Sequence, residues 1–150
     1  SIEKIKNNIH STMEMLLKKK NASIEYEIDV LDENNYIRVD FDKITMILKN
    51  LIENGIIYNK SENPEIKVKI SEGQDRYNFS VSDNGIGIPA AEQYKVFERF
   101  YRVDRARTSN LGGTGLGLAI VKSLIEKYGG KISVVSEEGK GTTFEFYISK

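Results

Sequence analysis

The chain has 150 residues, 39% hydrophobic and 29% charged, with 22 basic and 22 acidic side chains and no net charge. That composition fits a single soluble, globular domain spanning 1–150 with one core. The balanced charge argues against a nucleic-acid binder, whose footprint is broadly basic. The absence of cysteine and the single histidine exclude disulfides, Cys-based zinc centres and His-rich metal sites.

No apolar run approaches the roughly 18 residues of a membrane span. Ser1 to Lys20 is periodic and charged rather than uniformly apolar, so it is not expected to be a signal peptide. A cytoplasmic chain with no direct membrane contact is expected, and the start at Ser1 reads as a cut inside a longer protein.

Ile2, Ile5, Ile9, Met13 and Leu16 are spaced by 3, 4, 4 and 3, which is one face of an amphipathic helix. Ser23 to Val30 alternates polar and apolar and predicts a half-buried strand, and Tyr36 to Val39 a shorter second one. Asp40 and Asp42 are candidate N-caps for a helix that carries Ile44, Ile47, Leu48, Leu51 and Ile52 and ends near Tyr58-Asn59. Ile66–Ile70 and Tyr77–Ser82 alternate around the polar stretch 71–76 and predict an antiparallel hairpin. A short helix is expected from Ala90 to Phe97. The segment 98–112 has no clean period, carries Arg99, Arg102, Arg105 and Arg107, and reads as a lid. Gly115 to Tyr128 predicts an apolar helix stopped by Gly129-Gly130, and Lys131–Ser136 with Thr143–Ile148 a final hairpin. The best cover for these apolar faces is an α+β, two-layer sandwich: a mixed sheet with helices on one face.

Four groups of residues carry candidate chemistry. Asn50 and Asn54 share a helix face and are either a solvated pair or carboxamide oxygens suited to Mg²⁺. Asp83 opens the turn Asp83-Asn84-Gly85-Ile86-Gly87-Ile88-Pro89. It either caps that turn or is a buried carboxylate awaiting an amine donor such as the adenine 6-amino group. Gly113-Thr114-Gly115-Leu116-Gly117-Leu118 is neither the dinucleotide fingerprint nor a P-loop. It suits phosphate held by backbone N–H groups at a helix start, with Thr114 adding a hydroxyl. The lid arginines are either solvated charges or phosphate contacts, and arginine binds phosphate in a forked geometry.

Taken together, these pieces resemble the catalytic, ATP-binding domain of bacterial sensor histidine kinases, within the gyrase/chaperone/histidine-kinase/MutL ATPase superfamily. The resemblance covers nearly the whole chain. Asn50-Leu51-Ile52-Glu53-Asn54-Gly55 is similar to the family's N box, Asp83 to Pro89 to its first glycine box, Phe97 to Arg102 to its F box, and Gly113 to Leu118 to its second glycine box. Gly139 to Thr142 resembles the small glycine turn near the C-terminus, and Phe100–Asp104 the phosphate- and cell-wall-sensing, membrane-anchored subgroup.

The resemblance implies a Bergerat-type fold, a mostly antiparallel sheet on three helices, that binds ATP with magnesium. It implies that Asn54 ligates Mg²⁺ with Asn50 assisting near the phosphates, and that Arg102 and Tyr101 approach the nucleotide from the lid. Asp83 would hold the adenine amine, with Gly85, Gly87 and Ile88 lining the base and Thr142 assisting Asp83 through water. Tyr58 would lie against the nucleotide, and Gly113, Thr114, Gly115, Leu116, Gly117 and Leu118 would wrap the triphosphate.

There are two departures from the family pattern. Ile57 stands where many relatives carry a basic residue, which leaves Lys60 and the lid arginines to offset phosphate charge and predicts modest ATP affinity. Gly55 stands where Ala is commoner, and a helix-interior Gly costs roughly 1 kcal/mol, so a locally soft helix is expected.

Hydrolytic members of the superfamily use a Glu at the position matching Asn50. An amide is no general base, and Glu53 points elsewhere and reads as a solvent-facing charge. Transfer of the γ-phosphoryl to a histidine therefore fits better than hydrolysis. His10 lacks the family's acceptor pattern and reads as an ordinary helix residue. The implied partners are an acceptor-His dimerisation domain of the same parent, itself expected to be anchored in the cell membrane, and indirectly a response regulator. Two other readings share the fold, an anti-sigma-type serine kinase and a non-catalytic nucleotide-sensing module.

Overall fold

The computed structural model describes residues 1–98 and 117–150. Helix α1 (Ile2–Lys20) starts on Ser1, whose Oγ accepts the Lys4 N–H at 3.1 Å. It stops at Asn21, which adopts the left-handed conformation that asparagine tolerates, φ 54°. Strand β1 (Ser23–Asp29) follows. Helix α2 (Phe41–Ile57) begins where Asp40 Oδ1 accepts the Lys43 N–H at 3.1 Å and ends at Tyr58. Strands β2 (Glu65–Glu72) and β3 (Arg76–Asp83) form the first hairpin. A 3₁₀ turn (Ala90–Lys95) precedes the undescribed segment, after which come α3 (Gly117–Lys127), β4 (Lys131–Glu137) and β5 (Gly141–Ser149).

The five strands lie in the order β1-β2-β3-β5-β4, with β1 parallel to β2 and the other pairs antiparallel. This is the expected α+β two-layer sandwich. One sheet face carries Ile66, Val68 and Ile70 of β2, Phe79 and Val81 of β3, and Phe144 and Phe146 of β5, all buried. Phe79 and Phe146 stack across the β3–β5 pair with centroids 4.7 Å apart. The helices close that face with Ile2, Ile5 and Ile9 of α1, Ile47, Leu51 and Ile52 of α2, and Val121 and Ile125 of α3. The opposite face is polar: Glu27 meets Lys67 and Lys69 at 3.6 and 3.3 Å, exposed pairs that contribute little to stability.

The expected strand at Tyr36–Val39 does not form. Asn35 is left-handed at φ 58°, and the Asp32 carboxylate accepts the Asn34 N–H at 2.8 Å, which holds the preceding residues in a turn. The Arg38 N–H then donates to Tyr77 Oη at 3.1 Å instead of to a neighbouring strand. Ile37 and Val39 still pack against the core, so their alternation reflects anchoring to the core and not sheet pairing.

Candidate functional site

The C-terminal end of α2, the turn after β3 and the β4–β5 hairpin converge on Asp83. Its Oδ1 accepts the Gly85 N–H at 2.8 Å and the Thr142 N–H at 3.2 Å. Among the described residues no hydrogen bond reaches Oδ2. The sequence left open whether Asp83 caps its turn or is a buried carboxylate awaiting a donor; the structure shows the cap through Oδ1 and a half-buried side chain. Burial pushes its pKa up to about 6 from an ordinary 3.8, even though the two N–H donors act the other way. A carboxylate that is costly to keep ionised gains from a ligand that donates a hydrogen bond to it.

Gly55 explains how Asp83 comes to lie under α2. A β-carbon there would sit 2.7 Å from Ile66 Cδ1, 2.9 Å from Asp83 Cβ and 3.1 Å from its Oδ2. The glycine therefore lets the helix touch the strand end, and it is buried in continuous helix. The residue that lowers helix propensity is thus also the one that permits this close approach.

Tyr58 caps α2, donating its N–H to Asn54 C=O at 3.0 Å, and its own C=O accepts the Ile86 N–H at 3.1 Å. Asn59 Nδ2 donates to Gly55 C=O at 3.1 Å and to Asn84 Oδ1 at 2.8 Å. Both contacts tie the glycine turn to the end of the helix. On the other side of the turn, Gly139 N–H donates to Ile86 C=O at 2.7 Å. Gly87 has φ 75°, and a β-carbon on it would run into the Glu137 carbonyl. Only glycine fits a left-handed position pressed against backbone. Ile88 is buried beside it.

Thr142 is buried, and its link to Asp83 is the direct backbone bond; its hydroxyl lies 2.8 Å from Ser136 Oγ. Asn50 and Asn54 are half-buried on α2, and Glu53 is exposed, as the helix angle required. Asn50 Nδ2 donates to Met46 C=O at 2.9 Å, and a β-carbon on Gly117 would lie 3.2 Å from Asn50 Oδ1. The start of α3 therefore abuts the Asn50 carboxamide, which brings the tail of the second glycine stretch to α2. Leu118 packs against the core. Tyr101, Arg102, Gly113, Thr114, Gly115 and Leu116, and the other lid arginines, lie outside the described residues.

Sequence reasoning missed Ser136, Gln93, Asn59 and Asn84 as organisers of the turn. Asn84 and Asn59 adjoin Asp83 and Tyr58, a signal of sorts; nothing local marks Ser136 or Gln93. A cavity of about 390 Å³ lined by Arg38, Asp40, Lys43 and Tyr128 opens at the other end of α2 and holds none of the predicted residues. No helix among the described residues is long and apolar enough to cross a membrane.

The profile of the histidine kinase-, DNA gyrase B- and HSP90-like ATPases matches residues 17–150. The sensor histidine kinase WalK of Bacillus subtilis (strain 168) is 44% identical over 130 residues, covering 86% of this chain and 21% of that protein. The WalK sensor kinase of Staphylococcus haemolyticus is 43% identical over 116 residues, 77% of this chain and 19% of that protein. The chain thus spans about a fifth of the length of these curated relatives. Among solved structures, the nucleotide-free catalytic domain of the histidine kinase ThkA superposes with a TM-score of 0.76 at 29% identity, over 99% of this chain and 91% of that one. Full-length ShkA in complex with AMPPNP superposes with a TM-score of 0.81 at 28% identity, over 99% of this chain and 30% of that one. The order of the elements, the sheet and the sequence agree, and the chain belongs to the family of histidine kinase-, DNA gyrase B- and HSP90-like ATPases, as an ATP-binding domain of the sensor histidine kinase type.

Proposed function

We propose that this chain binds Mg-ATP and transfers the γ-phosphoryl group to a histidine on a separate dimerisation domain of its parent sensor kinase. The observation that carries the reading is Asp83: a half-buried carboxylate whose Oδ1 is held by two backbone N–H groups and whose Oδ2 takes no hydrogen bond from the described residues. Adenine offers that amine; guanine presents a carbonyl at the same place and is disfavoured. The AMPPNP complex of ShkA supports nucleotide binding in this fold.

The residues fit a magnesium ion. Asn54 and Asn50 lie half-buried one turn apart on α2, their carboxamide oxygens are hard donors of the kind Mg²⁺ takes, and the ion completes its shell with phosphate and water. When bound, the ion neutralises charge on the phosphates. The chain's own residues do the rest. Asp83 and the 85–88 turn orient the base, and the start of α3 beside Asn50 meets the phosphates, with Arg102 assigned to their charge by the family resemblance alone. In the transfer, the bond between the γ-phosphorus and the bridging oxygen breaks, a bond to the imidazole nitrogen forms, and ADP leaves. Catalysis of this kind is positioning and charge stabilisation. Asn50 supplies no general base for water, which favours transfer over hydrolysis.

His10 is not the acceptor in this reading. It is exposed on α1, with its ring 5.8 Å from Tyr26 of the edge strand β1. The response regulator is the downstream partner, in keeping with the complex of ThkA with the response regulator TrrA. The test supplies labelled ATP and the parent's dimerisation domain to this chain. Acid-labile label on that domain is expected; acid-stable label would indicate a serine acceptor, and no label a non-catalytic module.

A further inference from the structure

Gln93 is set apart by where its two amide hydrogens go. It is half-buried on the 3₁₀ turn Ala90–Lys95. Its Nε2 donates to Ile88 C=O at 3.0 Å and to Ser136 C=O at 2.9 Å. Ser136 completes the arrangement. Its Oγ accepts the Ile88 N–H at 2.7 Å and lies 2.9 Å from Gly141 C=O and 2.8 Å from Thr142 Oγ1. A hydroxyl has one hydrogen and two lone pairs. Its hydrogen goes to the Gly141 carbonyl, so the lone pairs take the Ile88 N–H and the Thr142 hydroxyl, and the group is fully used.

Both backbone polar groups of Ile88 are therefore held by two side chains from elsewhere in the fold. The same path continues through Thr142, whose N–H reaches Asp83 Oδ1. In the other direction, Gln93 is followed by buried Val96 and by Phe97, which packs edge-on against Phe144 at 6.0 Å.

We propose that Gln93 is a positioning residue for nucleotide selection. It holds Ile88 in place and, through Ser136 and Thr142, sets the direction of the Asp83 carboxylate. This rests on the nucleotide reading above. Gln93 touches no substrate; its effect passes through the backbone of Ile88 and through Ser136.

The experiment measures ADP and GDP affinity by calorimetry, with thermal melts, for the wild-type chain and for Gln93→Met, Ser136→Ala, Ser136→Thr and Asp83→Asn. Gln93→Met keeps side-chain length but removes both donors, leaving two carbonyls without their partner. Loss of such bonds predicts ADP binding weaker by about five- to tenfold and an ADP-over-GDP preference lower by a similar factor. Ser136→Ala behaves alike, and Ser136→Thr, which keeps the hydroxyl, retains the preference. Equal losses for ADP and GDP, or an unchanged preference in both Gln93→Met and Ser136→Ala, overturn the proposal. If the preference falls in Asp83→Asn but not in Gln93→Met, the adenine reading stands and this inference alone fails. A wild-type chain with no preference for ADP refutes both.

Discussion

Gly55 and Asp83 lie so close that a single added methyl on the glycine would stand 2.9 Å from the aspartate Cβ and 3.1 Å from Oδ2. The contact joins the end of α2 to the carboxylate expected to read the base. Gly55→Ala gains roughly 1 kcal/mol of helix propensity but overpacks the contact at a cost of about 1–3 kcal/mol. The expected outcome is a small net change in stability with a clear loss of ADP affinity, because Asp83 must move. A chemical denaturation curve paired with ADP titration checks this; unchanged affinity would mean that Asp83 need not be held against the helix.

Asp83→Asn keeps an oxygen for the Gly85 and Thr142 N–H groups, so the turn persists. The open position becomes an NH₂ donor, which opposes the adenine amine and suits the guanine carbonyl. A hydrogen-bond mismatch of this kind shifts preference by about 1–3 kcal/mol, so ATP-over-GTP selectivity falls by roughly one to two orders of magnitude. Competition binding of the two nucleotides reads it directly. The variant is also expected to be more stable at neutral pH, since it no longer buries a charge.

The Asp83 pKa, pushed up to about 6 by burial, makes two pH effects of opposite sign. Protonated Asp83 favours the folded state: that stabilisation is complete below the ordinary value of 3.8 and is lost as pH rises through about 6. The full difference is on the order of 3 kcal/mol. Nucleoside binding runs the other way, because the ionised carboxylate is the better acceptor and is lost as pH falls through about 6. Adenosine, which carries no titrating phosphate, is the appropriate probe. Melts and adenosine titrations from pH 7.5 to pH 5 (about the accessible window) are expected to show rising stability and falling affinity, and Asp83→Asn to show neither component.

Asn54→Ala removes a carboxamide oxygen from the half-buried face of α2 without touching the base-binding turn. Mg-ATP binding is expected to weaken by about tenfold, while ATP measured in chelator is bound as by the wild type. Calorimetry with and without magnesium separates the two. Equal weakening in both conditions would assign Asn54 to the nucleotide itself.

Much of the architecture was legible because its signals are local. The 3, 4, 4, 3 spacing in α1, the Asp40 cap, the alternation in β2 and β3 and the stop at Gly129-Gly130 are all read from neighbouring residues. The residue order also singled out Asp83, Gly87 and Asn50, because glycine turns and paired carboxamides are unusual in the sequence itself, whereas Thr142 came only from the family resemblance. What it could not carry is any bond whose partners are far apart in sequence. Thr142 reaches Asp83 across 59 residues, and Ser136 reaches Ile88 across 48. Whether Tyr36–Val39 became a strand depended on the Tyr77 hydroxyl, 39 residues from Arg38, taking the hydrogen bond. Gly55 read as a weak point of a helix until packing showed what it faces. Periodicity and turn chemistry reside in adjacent residues and so determine elements. The direction of a buried carboxylate depends on which distant donors the packed core delivers to it, and only the tertiary structure decides that.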